Sequence, residues 1–322
     1  MRVLSWHVHG SWSTAFVQGG HDHLVPVVPD RGPDGLGRAR TYPWPDTVTE
    51  VTPQRLASEP VDVVVLQRPR DLELADAWLG GRRVGRDLPA VYVEHDCPRG
   101  GVPHTRHPLA DRDDIPVAHV TYFNELMWDS GRAPTTVIEH GVVDPGPLWT
   151  GELPRAGVVV NMPARRGRLV GTDLLPRFAA AAPLDVFGME VSKLAALSGL
   201  DGDRLVTYED LPQSGMHAAL ARRRVYVHPF RWTSLGLSLV EAMHLGMPVV
   251  ALATTEAVEA VPPGGGVCSN RLDLLTEAVR RYLADAGEAA EAGRVARAAA
   301  LARYGLSRFT DDWDRLLKEV TR

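Results

Sequence analysis

The sequence lacks most of what would tie it to an oxidising compartment, a metal, a membrane or a nucleic acid. Only two of its 322 residues are cysteines, Cys97 and Cys268, and they stand far apart in no metal or redox motif. That excludes a disulfide-built or zinc-built scaffold and leaves two reduced thiols. Lysine occurs only at Lys193 and Lys318, so arginine carries nearly all the positive charge. The net charge is −5, so no basic field draws in a polyanion or an anionic lipid surface. No apolar run approaches a membrane span, and residues 1–8 hold no signal-type core. The expectation is a cytoplasmic protein without a nucleic-acid partner and with at most peripheral membrane contact.

What is present suits a globular protein of two domains. Hydrophobic residues make up 44% and charged residues 23% of the chain. The richness in Ala, Gly, Val and Arg fits a bacterial, high-GC coding bias. Apolar runs of strand length alternate with helical stretches. In the first half, strands are predicted at 2–8, 24–28, 61–67, 90–94, 117–123 and 136–139, with helices at 71–79 and 124–130. Residues 31–53, rich in Pro, Gly and Asp, read as a long loop. Its stiff segment Tyr42-Pro43-Trp44-Pro45 either covers the domain or touches an acceptor. Asp144-Pro145-Gly146-Pro147 reads as a linker. Strands are then predicted at 157–161, 184–187, 205–206, 225–228 and 249–252. Helices are predicted at 174–182, 191–197, 216–222, 237–245, 272–284, 288–302 and 307–320. This alternation predicts parallel sheets covered on both faces.

The most informative stretch is 225–250, VYVHPFRWTSLGLSLVEAMHLGMPVV. It reads as strand, breaker-rich loop, helix, turn and strand, a βαβ unit. The loop feeds a helix N-terminus, whose first amides have no partner within the helix and suit an anion. Glu241 follows one turn in, among Leu239, Val240, Ala242 and Met243. A carboxylate in such company needs a hydrogen-bonding partner.

The same stretch resembles the signature of the retaining, family 4-type glycosyltransferases of group 1, which have the GT-B fold. Glu241-Ala242-Met243-His244-Leu245-Gly246-Met247-Pro248-Val249-Val250 matches the second half of that family's Glu-x7-Glu motif. The first Glu of the motif falls on Thr233. The resemblance implies two Rossmann-like domains with parallel sheets facing a central cleft: 1–147 on the acceptor side, 148–306 for the nucleotide sugar, and 307–322 as a helix returning to the first domain. Phe309, Trp313 and Leu317 would anchor that helix.

The resemblance also implies transfer of a hexosyl-type sugar from a nucleotide diphosphate sugar to an acceptor hydroxyl, with retention, no metal and no cofactor. Glu241 would hold the ribose. Thr233, Ser234, Leu235, Gly236 and Leu237 would line the diphosphate turn. Aligning Gly171-Thr172-Asp173-Leu174-Leu175 with the family's Lys-Gly-x-Asp-x-Leu puts Arg165 on its Arg and Val170 on its Lys, with Arg166 and Arg168 as substitute cations. A leaving diphosphate gains charge as the bond breaks, so cations placed there act in the transition state. In the first domain His95 matches the family's active-site His, with Glu94 and Asp96 placed to hold it protonated or oriented. Gly10 and Ser11 follow the first strand and face the donor and acceptor. Glu256 is a further pocket residue, or an acid favoured at a helix N-terminus. Tyr208, read as following its strand, stacks on the base or caps the sheet. Val137-Ile138-Glu139-His140-Gly141-Val142 resembles the segment that closes the family's first domain.

Two other readings stand beside this one. Thr233 and Val170 leave room for a catalytically altered relative that binds a nucleotide without turnover. The His-x-His pairs, His7 with His9 and His21 with His23, open the alternative of a metal-dependent hydrolase. Asp111-Arg112-Asp113 precedes a strand in a Pro- and Asp-rich loop, so it reads as solvated. No Gly-x-Gly-x-x-Gly follows a strand, which counts against a dinucleotide oxidoreductase.

Overall fold

A computed structural model describes residues Met1–Arg322. The chain divides into two compact units, Met1–Val143 with Leu306–Arg322, and Asp144–Gly305.

The first unit opens with β1 (Arg2–Ser5), α1 (Gly10–Phe16), β2 (Asp22–Pro26), β3 (Val48–Val51), α2 (Pro53–Leu56) and β4 (Val63–Leu66). It continues with α3 (Pro69–Trp78), β5 (Ala90–Glu94), β6 (Val117–His119), α4 (Tyr122–Met127) and β7 (Thr135–Val137). The seven strands pair in the order β3-β2-β1-β4-β5-β6-β7, all parallel. β4 is Val-Val-Val-Leu and wholly buried, as expected of a strand covered on both faces.

The second unit runs β8 (Leu153–Val159), α5 (Pro163–Arg166), α6 (Leu175–Ala179), β9 (Leu184–Gly188), α7 (Leu194–Ser198) and β10 (Leu205–Glu209). Then come α8 (Gln213–Leu220), β11 (Arg223–His228), α9 (Leu237–Leu245), β12 (Val249–Leu252), α10 (Ala257–Ala260), β13 (Gly266–Ser269), α11 (Leu272–Ala284) and α12 (Ala286–Tyr304). Its six parallel strands pair as β10-β9-β8-β11-β12-β13.

Both sheets therefore have the Rossmann order, and in each the chain reverses direction beside the first strand of the sheet. The reversal lies between β1 and β4 in one unit and between β8 and β11 in the other. Open α/β sheets take ligands in the crevice beyond the strand ends at such a point.

The last helix, α13 (Leu306–Val320), belongs to the first unit. Phe309, Trp313 and Leu317 recur every four residues and are fully buried. Trp313 meets Trp12 and Phe16 edge-on, with ring centroids 5.6 and 5.2 Å apart. Arg308 closes the helix start by donating to the carbonyls of Glu139 and His140.

Some elements differ from expectation. β1 stops at Ser5, so His7 and His9 lie beyond the strand, where alternation no longer relates them. The loop 31–53 contains an edge strand, β3, whose Val48 and Val51 are buried. β13 is a second edge strand absent from the sequence reading. β10 runs on through Thr207, Tyr208 and Glu209 because all three pair with β9. Tyr208 is therefore within the strand and not after it. The helix expected at 191–197 is a 3-10 turn, Val191–Lys193, followed by α7. No helix is long and apolar enough to cross a membrane.

Candidate functional site

In the second unit three loops leave the sheet at its switch point and are stitched together. The loop after β8 carries α5 and a 3-10 segment, Gly167–Val170. The loop after β11 runs from Pro229 to Gly236 and the loop after β12 from Ala253 to Glu256. Arg231 and Trp232 donate their backbone N–H to Leu169 O at 2.8 and 3.2 Å. Gly171 has φ +72°, and a Cβ there would collide with the Pro229 carbonyl, so only glycine lets these loops approach. Thr254 Oγ1 donates to Phe230 O at 2.8 Å, and Glu256 N–H to Ser234 O at 3.3 Å.

α9 starts where these loops meet. Its N-cap is Gly236, which has no side chain to cap the first turn, so the opening amides suit an external acceptor. The His228 ring lies directly beneath Gly236, where any Cβ would strike it. Burial pulls His228 down to about 3, so the ring is neutral. Tyr226 fixes both neighbours: its Oη lies 3.2 Å from His228 Nδ1 and donates to Ser238 Oγ at 2.9 Å. The turn is thus rigid from below. Ser234 and Leu235 are buried within it, while Thr233, Gly236 and Leu237 are half-buried.

Glu241 faces inward one turn along α9 and is only 3% exposed. The partner that its surroundings demand comes from α8. Gln213 Nε2 donates to Glu241 Oε1 at 3.0 Å, and His217 Nε2 lies 3.5 Å from Oε2. Neither residue was foreseen. Their spacing of four at the start of a helix was the available signal.

The arginines divide by role. Arg165 is exposed on α5 and forms no ion pair, so its guanidinium is available to an anion. Arg166 approaches the Phe230 ring, with Cζ 6.0 Å from the centroid. Arg168 is 76% exposed in its side chain and is paired with Asp173 at 2.8 Å. Arg231, also unforeseen, forks onto the same carboxylate at 2.6 and 2.9 Å and donates to Arg168 O at 2.9 Å. Arg231 is the main reason the Asp173 carboxyl sits below its usual range. Asp173 thus neutralises part of a cluster that stays positive. Val170, at the position of the family's Lys, is buried in the apolar core.

Two predicted site residues have other work in the structure. Tyr208 stacks on Phe187 at 4.6 Å and accepts a hydrogen bond from Arg223 Nη2 at 2.7 Å, beside the buried Arg223–Asp185 pair. It braces the sheet. Glu256 is buried and paired with Arg303 of α12 at 2.7 Å, so its carboxylate anchors the loop after β12.

In the first unit His95 follows β5, in the same sheet as the β1–β4 reversal. Its Nε2 lies 3.0 Å from Gln67 Oε1. Gln67 donates its own amide to Trp6 O at 2.6 Å, which orients the amide oxygen toward His95 and puts the imidazole proton on Nε2. Burial, then the nearby His9 and His140, hold His95 far below its ordinary value. It is neutral. Of the two expected effects of Glu94 and Asp96, protonation or orientation, this corrects the first. Glu94, the last residue of β5, instead reaches His107 Nε2 at 3.0 Å and accepts from the Asp96 N–H at 2.7 Å. Burial also pushes the Glu94 carboxyl up.

The His9 ring packs at a tilt against His95, with centroids 4.0 Å apart. Gly10 opens α1 beneath the ring of Tyr42, whose Oη is 3.5 Å from Ser11 Oγ. Trp44 is buried, with its Nε1 donating to Thr14 Oγ1 at 2.9 Å. The aromatic segment therefore covers α1. His7 turns to Gly37 O at 3.1 Å and packs its ring on Trp44. No three His, Cys, Asp or Glu side chains gather as a metal set would.

Residues 160–285, less than half of the chain, match the model of the family described as glycosyl transferases group 1. No curated protein matches the sequence. Among solved structures, the chain is similar to sucrose-phosphate synthase from Thermosynechococcus elongatus, with TM-score 0.71, 15% identity and 99% of each chain covered. It is similar to Anabaena HepE, solved in complex with UDP and glucose, with TM-score 0.71, 18% identity and 99% of each chain covered. A glycosyltransferase from Rickettsia africae gives TM-score 0.67 and 13% identity over 100% of this chain and 98% of that one. At these identities the likeness establishes the fold, which is GT-B with two Rossmann-like domains.

Proposed function

We propose that this chain is a glycosyltransferase that moves a hexosyl-type sugar from a nucleotide diphosphate sugar to an acceptor hydroxyl, with retention and without a metal. The observation that carries this reading is the α9 entrance: an amide-lined turn above a rigid bed, with one buried carboxylate a turn further in. Its support is the group 1 family match over that same region and the UDP complexes of a protein with the same fold.

In this reading the α9 amides and Ser234–Leu237 take the diphosphate. Glu241 accepts from the ribose hydroxyls. Arg165, with Arg166 and the Arg168–Arg231 pair behind it, stabilises charge on the departing diphosphate. His95 is assigned to the transferred sugar, and its neutral ring donates or accepts a hydrogen bond without adding charge. Gly10 and Ser11 stand beside it on α1. Tyr208 and Glu256 drop to supporting roles.

A second reading, nucleotide binding without turnover, is favoured by Thr233 in place of an acid and by Val170 buried where a cation is expected. Thermal shift with UDP-, GDP-, ADP- and TDP-sugars tests the shared premise, and stabilisation by at least one is expected. Release of nucleoside diphosphate in the presence of acceptor glycans or lipids separates the two readings. A protein stabilised by none of these donors would overturn both.

A further inference from the structure

We infer that Gln213 and His217 are positioning residues for Glu241, and that through it they set the preference for a nucleotide whose ribose keeps its 2′-hydroxyl. The inference rests on the nucleotide-sugar reading above. Gln213 and His217 stand four residues apart on α8, so one helix face presents both to the same neighbour. That neighbour is the Glu241 side chain on α9, at 3.0 Å from Gln213 and 3.5 Å from His217. His217 is 4% exposed, and its Nε2 is buried without a hydrogen bond.

A carboxylate this deeply buried presents only one edge to a ligand. Its side-chain torsions decide whether an oxygen or a methylene is met there. Gln213 and His217 grip the carboxylate from α8 and so select the torsions that turn oxygen outward. The His217 contact is slightly too long for a hydrogen bond, and a buried nitrogen with its bond unmade is costly. Ribose hydroxyls that engage Glu241 draw the carboxylate into line and let the His217 bond close. Hydroxyl recognition is thereby coupled to a group that does not itself touch the ligand. A deoxyribose, with one hydroxyl fewer, uses this coupling less.

The test measures binding of UDP, GDP and ADP, and of their 2′-deoxy counterparts, to the full chain by calorimetry, with melting temperatures as a check on folding. The wild type is expected to favour the ribonucleotide. In Gln213→Ala and His217→Ala this preference shrinks by roughly tenfold, while deoxynucleotide affinity stays within about twofold. His217→Gln, whose amide nitrogen reaches close to the Nε2 position, keeps most of the preference. Equal weakening of both nucleotides, an unchanged preference in the variants, or no preference in the wild type would each overturn the inference alone. A wild type that binds none of these nucleotides ends the nucleotide-sugar reading and this inference with it.

Discussion

The switch points of the two sheets share a topology and differ in chemistry. Between β8 and β11 the loops bring guanidinium groups and one deeply held carboxylate to a helix start. Near the β1–β4 reversal the equivalent ground holds rings: His9 on His95, Trp12 edge-on to His95 at 5.1 Å, and Tyr42 over Gly10. One crevice is charged and, in the proposed reading, takes an anion. The other is lined by rings, and burial holds His95 neutral within it. The strand order dictates where a ligand can bind, and the side chains at the strand ends dictate which kind.

Four experiments press on this contrast, beginning with the largest effect of a single substitution. Trp313→Ala should cost about 3–5 kcal/mol of stability, read as a lower unfolding midpoint, since it empties the aromatic wedge behind α1. Retention of the midpoint would show that the ring-lined region does not depend on α13. Arg165→Ala should lower turnover by roughly 10²–10³-fold, about 2.7–4 kcal/mol, with little change in nucleotide affinity. An equal loss in affinity alone would recast Arg165 as a ground-state contact.

Acid should act on the buried histidines. His23, His119 and His228 have an ordinary value of 6.5 but are pulled down to about 3, about 4 and about 3 by burial. Between those values the unfolded chain holds more protons than the folded one. Stability therefore falls as pH drops below 6.5, by about 1.4 kcal/mol per pH unit for each histidine, and levels off near the folded values. Denaturant titrations at pH 7 and pH 5 check the slope, and flat stability would place these rings in contact with water. The smallest effect belongs to Arg168→Ala. Its exposed pair with Asp173 is worth at most about 1 kcal/mol, because solvent screens it and Arg231 still holds the carboxylate. A turnover loss as large as that of Arg165→Ala would move Arg168 into the charged crevice itself.

How much of this was legible depended on where each signal lay. β5, α9, β12 and α11 match their predicted spans because an apolar run or a helical periodicity ends at Gly, Pro or charged residues. The edge strands β3 and β13 are four residues each and owe their form to the neighbouring strand, which no local pattern announces. Tyr208 was misplaced for the same reason. The need for a partner at Glu241 was visible in its apolar surroundings, but the partner stands 28 residues earlier in another βα unit. Arg231 was in plain view within the key loop, yet its fork onto Asp173 depends on two loops meeting at Gly171. Glu94 beside His95 suggested an ion pair, but the Glu94 carboxylate turns to His107, 13 residues further along the chain.

The placement of α13 has a consequence for how the protein is made. The first unit is split in sequence, since its closing helix lies beyond the entire second unit, and Thr321 Oγ1 reaches the Met1 sulfur at 3.8 Å. During synthesis Asp144–Gly305 emerges whole and is free to fold at once. The earlier-made half must wait, with Trp12 and Phe16 uncovered, until α13 leaves the ribosome. Because Thr321 lies beside Met1, a permutation that links these two residues and breaks the chain in the turn near Gly146 would make that half contiguous and spare it the delay.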